Sequence, residues 1–161
     1  MPTNDPIDIL LLHNRWATRN ILETCATLQV EQFHQRFEIG LGSLHDTTRH
    51  ILVAMVAWGD MLAGREQRAC RVSEDCTPQQ LLSLLDEISD DLHASARAHS
   101  HDEMVSGSLG GKHYNLPRSG VLTHVTTHGM HHRAQCLNLL RQLGIDPLPS
   151  SSVMEWIMLA A

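Results

Sequence analysis

The residues best suited to chemistry stand in one run: His124-Val125-Thr126-Thr127-His128-Gly129-Met130-His131-His132-Arg133-Ala134-Gln135. His128 and His132 are four apart, so on a helix they lie one above the other on the same side. Two imidazoles so placed can reach one metal ion, as in the His-x-x-x-His part of zinc-protease helices. No Glu follows His128, so the protease motif itself is absent. On a wheel of about 100° per residue, the apolar stripe is Val121, Leu122, Val125, Cys136, Leu139, Leu140 and Leu143. His132 falls within this stripe and His128 at its edge, while His124 and His131 turn progressively toward solvent. Buried or half-buried imidazoles need partners: a metal ion is one, and hydrogen bonds at a core edge are the plainer alternative.

Two ligands seldom hold a metal, so a third must come from another helix. The segment from Ser43 to Leu62 offers His45 and His50. Periodicity does not choose between them. His45 lies nearer the apolar stripe of Leu44, Ile51, Leu52, Met55 and Leu62, whereas His50 lines up with the small residues Ala54 and Ala57 and with Met61.

These segments need a scaffold, and the sequence describes one. Four amphipathic patterns of helical period run over about 5–28, 43–62, 77–99 and 117–143. Ser43 caps the second and Gly64 ends it. Thr77-Pro78, with Gln80 three residues after the threonine, starts the third. Pro117 begins the fourth, Gly144 stops it, and 152–159 suits a short closing helix. A linker holding Gly40 and Gly42 and two long connections, 65–75 and 100–116 (with Gly107, Gly110 and Gly111), join them. Four such helices bury their apolar faces most economically as a four-helix bundle, an all-α single domain spanning 1–161.

Composition narrows the function. The chain has 161 residues, twelve of them histidine, and a formal net charge of −6 with no clustered Lys or Arg. Nucleic acid is an unexpected partner for such a surface. No stretch approaches the roughly 18 apolar residues of a membrane span. The opening Pro2, Asn4, Asp5 and Pro6 precede an apolar run too short for a signal peptide. Cys25, Cys70, Cys76 and Cys136 show no Cys-x-x-Cys spacing, so free thiols in a reducing cytoplasm are expected.

Several short matches resemble the DinB/YfiT superfamily. Leu12-His13-Asn14-Arg15-Trp16-Ala17 looks like its "Tyr-Asn-Arg-Trp-Ala" opening, and Gly42-Ser43-Leu44, His50-Ile51 and Trp58 look like its second helix. His124 to Gln135 resembles its "His-x-x-x-His-x-x-x-His-Arg-Gly-Gln" helix, and Leu139 to Pro147 its Leu-Leu-Arg-Gln-Leu-Gly-x-x-Pro ending. The pieces fall in order from about residue 8 to 157. The resemblance implies an up-down-down-up bundle, often a homodimer, with a three-histidine metal site on His50, His128 and His132. His13 stands where tyrosine is common, Ala134 replaces a glycine, and Ser150 to Ser152 occupy a region that often holds an aspartate.

Three neutral imidazoles leave coordination positions open, the arrangement of a catalytic site. Zn²⁺ is the default for this set, and Ni²⁺, Fe²⁺ or Mn²⁺ also suit imidazole and water. The resemblance implies two reaction types: transfer of a low-molecular-weight thiol (bacillithiol, mycothiol or glutathione) to an electrophile, and thiol-dependent isomerisation. A non-catalytic metal sensor or store and a metal-dependent hydrolase are the alternatives. The hydrolase would use Asp46 as base, though Asp46 reads more simply as a first-turn acid. Arg133 suits a cofactor carboxylate but reads more simply as a solvated surface arginine. Trp16 and Trp58 are expected in the core, and Cys136 as an inert buried thiol.

Overall fold

The computed structural model describes residues 3–69, 71–109 and 111–160; Pro2, Cys70 and Gly110, named above, lie outside the described residues. Helix α1 (Pro6–Cys25) starts where the Asp5 carboxylate accepts from the Ile7 amide at 2.8 Å. A short helix, α2 (Val30–His34), follows. Helix α3 (Leu44–Ala63) is capped by Ser43 Oγ, which accepts from the Asp46 amide at 3.0 Å. It ends at Gly64, whose φ of 67° is the left-handed conformation that glycine adopts without a Cβ penalty. Helix α4 (Pro78–Arg97) opens with the reciprocal Thr77–Gln80 capping box. Strands β1 (Met104–Leu109) and β2 (Lys112–Pro117) form a hairpin, and α5 (Arg118–Gln142) and α6 (Val153–Ala160) complete the chain.

The four long helices form a ring in the order α1, α4, α3, α5, so chain neighbours α1 and α3 sit on a diagonal. Side-chain pairings fix their directions. His50 meets His128 and His132 while Trp58 meets His124, which makes α3 and α5 antiparallel. Arg15 reaches Asp86 and Asp90, and Asp8 reaches His93 and Arg97, which makes α1 and α4 antiparallel. Gly59 lies against Leu92, and Val56 shares a cavity wall with Ile88, so α3 and α4 run together. The result is the up-down-down-up bundle. Its core is aliphatic, with Ile21, Leu22, Leu52, Leu81, Leu139 and Leu140 fully buried. Each contributes about 1.5–3 kcal/mol by leaving water.

Two expectations are corrected. The stretch 100–116 is for the most part not a connection but the β1–β2 hairpin, paired antiparallel from Met104 with Pro117 to Leu109 with Lys112. It also caps α5, whose first amides have no side-chain acceptor: Arg118 N–H donates to the Glu103 carbonyl and Ser119 N–H to that of His101, both at 3.0 Å. The linker around Gly40 and Gly42 is shortened by α2, whose Phe33 is buried in the core. No helix among the described residues is long and apolar enough to cross a membrane.

Candidate metal centre

His50 projects from α3, and His128 and His132 project from adjacent turns of α5, the helix that packs against it. One ligand nitrogen from each lies within 4.8 Å of the others, which brings together the three residues that the resemblance implies. The ring centroids are 4.9 Å apart for His50 and His128, 4.6 Å for His50 and His132, and 4.4 Å for His128 and His132. His50 Nε2 and His128 Nε2 face each other at 3.1 Å. Two imine nitrogens so placed repel through their lone pairs unless a proton or a cation lies between them. Tetrahedral Zn²⁺ with Zn–N of about 2.0–2.1 Å needs ligand nitrogens about 3.3 Å apart, close to the spacing of the His50 and His128 nitrogens.

The surroundings favour neutral rings. Burial and then the neighbouring His132 and His50 push His128 down to about 4. His50 is lowered by burial, His132 and Arg49, and His132 by burial, although its bond to Gln135 opposes the shift. A histidine must be deprotonated to bind a metal, so these shifts suit the role.

Gln135, one turn beyond His131, orients the set. Its Oε1 lies 2.8 Å from His132 Nδ1, and its Nε2 lies 3.0 Å from His131 Nε2. With Nδ1–H donating to the amide, the Nε2 lone pair of His132 points at the cluster. A Cβ on Gly40 would come within 2.4 Å of Gln135 Oε1, so the glycine at φ 53° leaves room for that amide. Gln135 closes the motif that the fourth helix resembles, but the spacing alone does not give it this part, and Gly40 reads only as linker composition.

The other candidates lie elsewhere. His45 is buried against α2, its ring 4.4 Å from His34 and 5.5 Å from Phe33, with Nδ1 3.1 Å from Asp46. Asp46 also pairs with Arg36, so the acid needed by the hydrolytic alternative is already engaged. His124 and His131 are exposed beside the triad. Trp16 is half-buried and outside the core; Trp58 is half-buried, packs against the core and lies beside the site, edge-on to His124 at 4.4 Å.

Arg133 is a correction. It is not solvated but 2 % exposed, donating to Asn14 Oδ1 at 2.5 Å and Thr18 Oγ1 at 3.3 Å. Burial pushes its pKa down to about 10, which leaves it charged at neutral pH. It therefore ties α5 to α1 from inside the bundle. Where a carboxylate is common, the C-terminal segment presents backbone carbonyls: His13 Nε2 lies 3.0 Å from Ser151 O, and Asn20 donates to Ser150 O at 2.9 Å. Cys25, Cys76 and Cys136 are free and buried; burial raises Cys25 and pushes Cys136 up to about 12. Cys25 and Cys136 are therefore poor nucleophiles.

The chain is thus an up-down-down-up helical bundle in which three histidines converge. The DinB family model matches residues 1–156, and the chain belongs to that family. Protein DinB of Bacillus subtilis (strain 168) is 24% identical over 151 residues, covering 86% of each chain.

Proposed function

We propose that this protein is a metal-dependent enzyme that transfers a low-molecular-weight thiol to a small electrophile, with His50, His128 and His132 holding one divalent ion. The observation that carries the reading is the convergence of three imidazoles with no acid or cysteine to complete the set among the described residues. Such a set leaves room for an exogenous ligand. A divalent ion there supplies positive charge that stabilises a small thiol as its thiolate at neutral pH. Zn²⁺ is the ion that this ligand set suits first.

The chain's own residues supply the rest. His50 and His128 stay neutral, and Gln135 holds His132 with its lone pair toward the centre. The buried Cys25 and Cys136, with raised pKa values, do not compete for the electrophile. In the transfer, the thiol proton passes to solvent. Sulfur then forms a bond to the electrophilic carbon, and the leaving group departs with the electron pair of the bond it breaks.

The test incubates metal-loaded protein with bacillithiol, mycothiol or glutathione and a panel of alkyl halides, epoxides and bimanes, and measures conjugates by mass. Conjugation with one thiol, lost in His50→Ala, supports the reading. A stoichiometrically loaded protein that conjugates none of them refutes it.

A further inference from the structure

His50 and His128 also line a cleft of about 240 Å³. Its other walls come mainly from α3. His50, Ala54, Ala57 and Met61 follow one another at helical spacing, and the two alanines leave space where larger side chains would fill it. Val53 and Trp58 flank this stripe, and the indole is braced by its edge-on contact with His124. Gln67 supplies the polar group apart from the histidines. No Lys, Arg, Asp or Glu is among the lining residues.

The wall that Gln67 forms is fixed in place. The Asp60 side chain is fully buried, and it accepts from Arg65 Nε at 2.7 Å and from the Arg68 amide at 2.9 Å. The residues two before and one after Gln67 are thus pinned to α3. A cleft with preformed walls spends little of a ligand's binding energy on ordering the protein.

We propose that this cleft binds the apolar body of the molecule that reacts at the histidine centre. The electrophile is then a small hydrophobic compound rather than a sugar, nucleotide or phosphate ester. A phosphate would find no cation in the cleft, and a sugar would leave most of its hydroxyls unpaired there. The volume suits an alkyl or aryl group of about ten non-hydrogen atoms, with its reactive end toward His50 and His128. The inference rests on the metal-centre reading, and its test separates the two.

Straight-chain alkyl hydroxamates, from acetohydroxamate to dodecanohydroxamate, join a metal-binding head to an apolar tail. Their affinity for the Zn²⁺-loaded protein is measured by calorimetry and by tryptophan fluorescence, alongside metal content. Affinity should rise about fourfold per methylene until the cleft is full, then level off. Ala57→Leu should abolish that rise while leaving metal content and acetohydroxamate affinity unchanged. Gln67→Leu, at an exposed position that does not threaten folding, should strengthen the longer chains several-fold. An affinity independent of chain length in metal-loaded wild type, or a rise unaffected by both variants, overturns the cleft and spares the metal centre. A protein that takes up no metal overturns both.

Discussion

Gly129→Ala is a test of how the two histidine-bearing turns of α5 are held. Glycine inside a helix costs about 1 kcal/mol relative to alanine, so the substitution should stabilise the protein if helix propensity alone decided. Here α1 lies too close. A Cβ at this position would come within 2.4 Å of Asn14 Oδ1 and 2.9 Å of Arg133 Nη1. Asn14 is 1 % exposed and also donates to Met55 Sδ at 3.7 Å, so it has little room to retreat. Overpacking costs about 1–3 kcal/mol, and losing the charge-assisted bond between Arg133 and Asn14 adds about 1.5–3 kcal/mol. Against the propensity gain, the net destabilisation is about 3 kcal/mol. At about 2–4 °C per kcal/mol for a chain of this size, Tm falls by about 6–12 °C. Urea and thermal unfolding measure it, and because His128 adjoins the site of change, metal affinity should fall as well. Gly120→Ala is the control: its Cβ meets nothing closer than Pro117 Cγ at 3.4 Å, and it should be neutral or stabilising by up to about 1 kcal/mol. A Gly129→Ala protein as stable as wild type would refute the close-approach argument.

Other outcomes follow from the same structure. Gln135→Leu removes the acceptor on His132 Nδ1 and should weaken metal affinity about 10–100-fold in a chelator competition, with the fold kept; unchanged affinity would deny the amide its orienting role. Asp60 governs a pH response. Burial alone would raise its carboxyl, but the Arg68 amide and the Arg65 and Arg68 guanidinium groups outweigh that and hold it below its ordinary 3.8. A carboxyl with a depressed folded pKa contributes stability in full above its unfolded value, and that contribution is lost as pH falls through the folded value. Asp60→Asn should therefore cost about 2 kcal/mol at neutral pH and flatten the acid limb of the stability profile below about pH 4. Equal pH dependence in both proteins would contradict the assignment.

The helices were legible because three signals agreed: apolar period, caps and breakers. The Asp5, Ser43 and Thr77 ends and the Gly64 stop fall within a residue or two of the expected bounds. The hairpin was obscured because Gly107, Gly110 and Gly111 read as loop composition; the Gly-Gly pair between short alternating segments was the available turn signal. Gly107 has a packing reason instead, since a Cβ there would meet the Tyr114 hydroxyl across the hairpin.

At the site, the four-residue spacing together with the apolar stripe picked out His128 and His132 over His124 and His131. His50 could not be told from His45 by periodicity, because what sequesters His45 is α2, an element invisible in the linker. Arg133 was misread for a similar reason. Its burial depends on Gly129 admitting Asn14 from another helix, a long-range fit that no local pattern encodes.

The central claim is most directly tested by elemental analysis of the purified, untagged protein beside His50→Ala, His128→Ala and His132→Ala. The account predicts close to one divalent ion per chain in the wild type and its loss in each variant, with the helical content kept. A wild type that holds no metal, and whose thermal stability does not change on adding Zn²⁺ or Ni²⁺, would contradict it and leave the three histidines as packing residues.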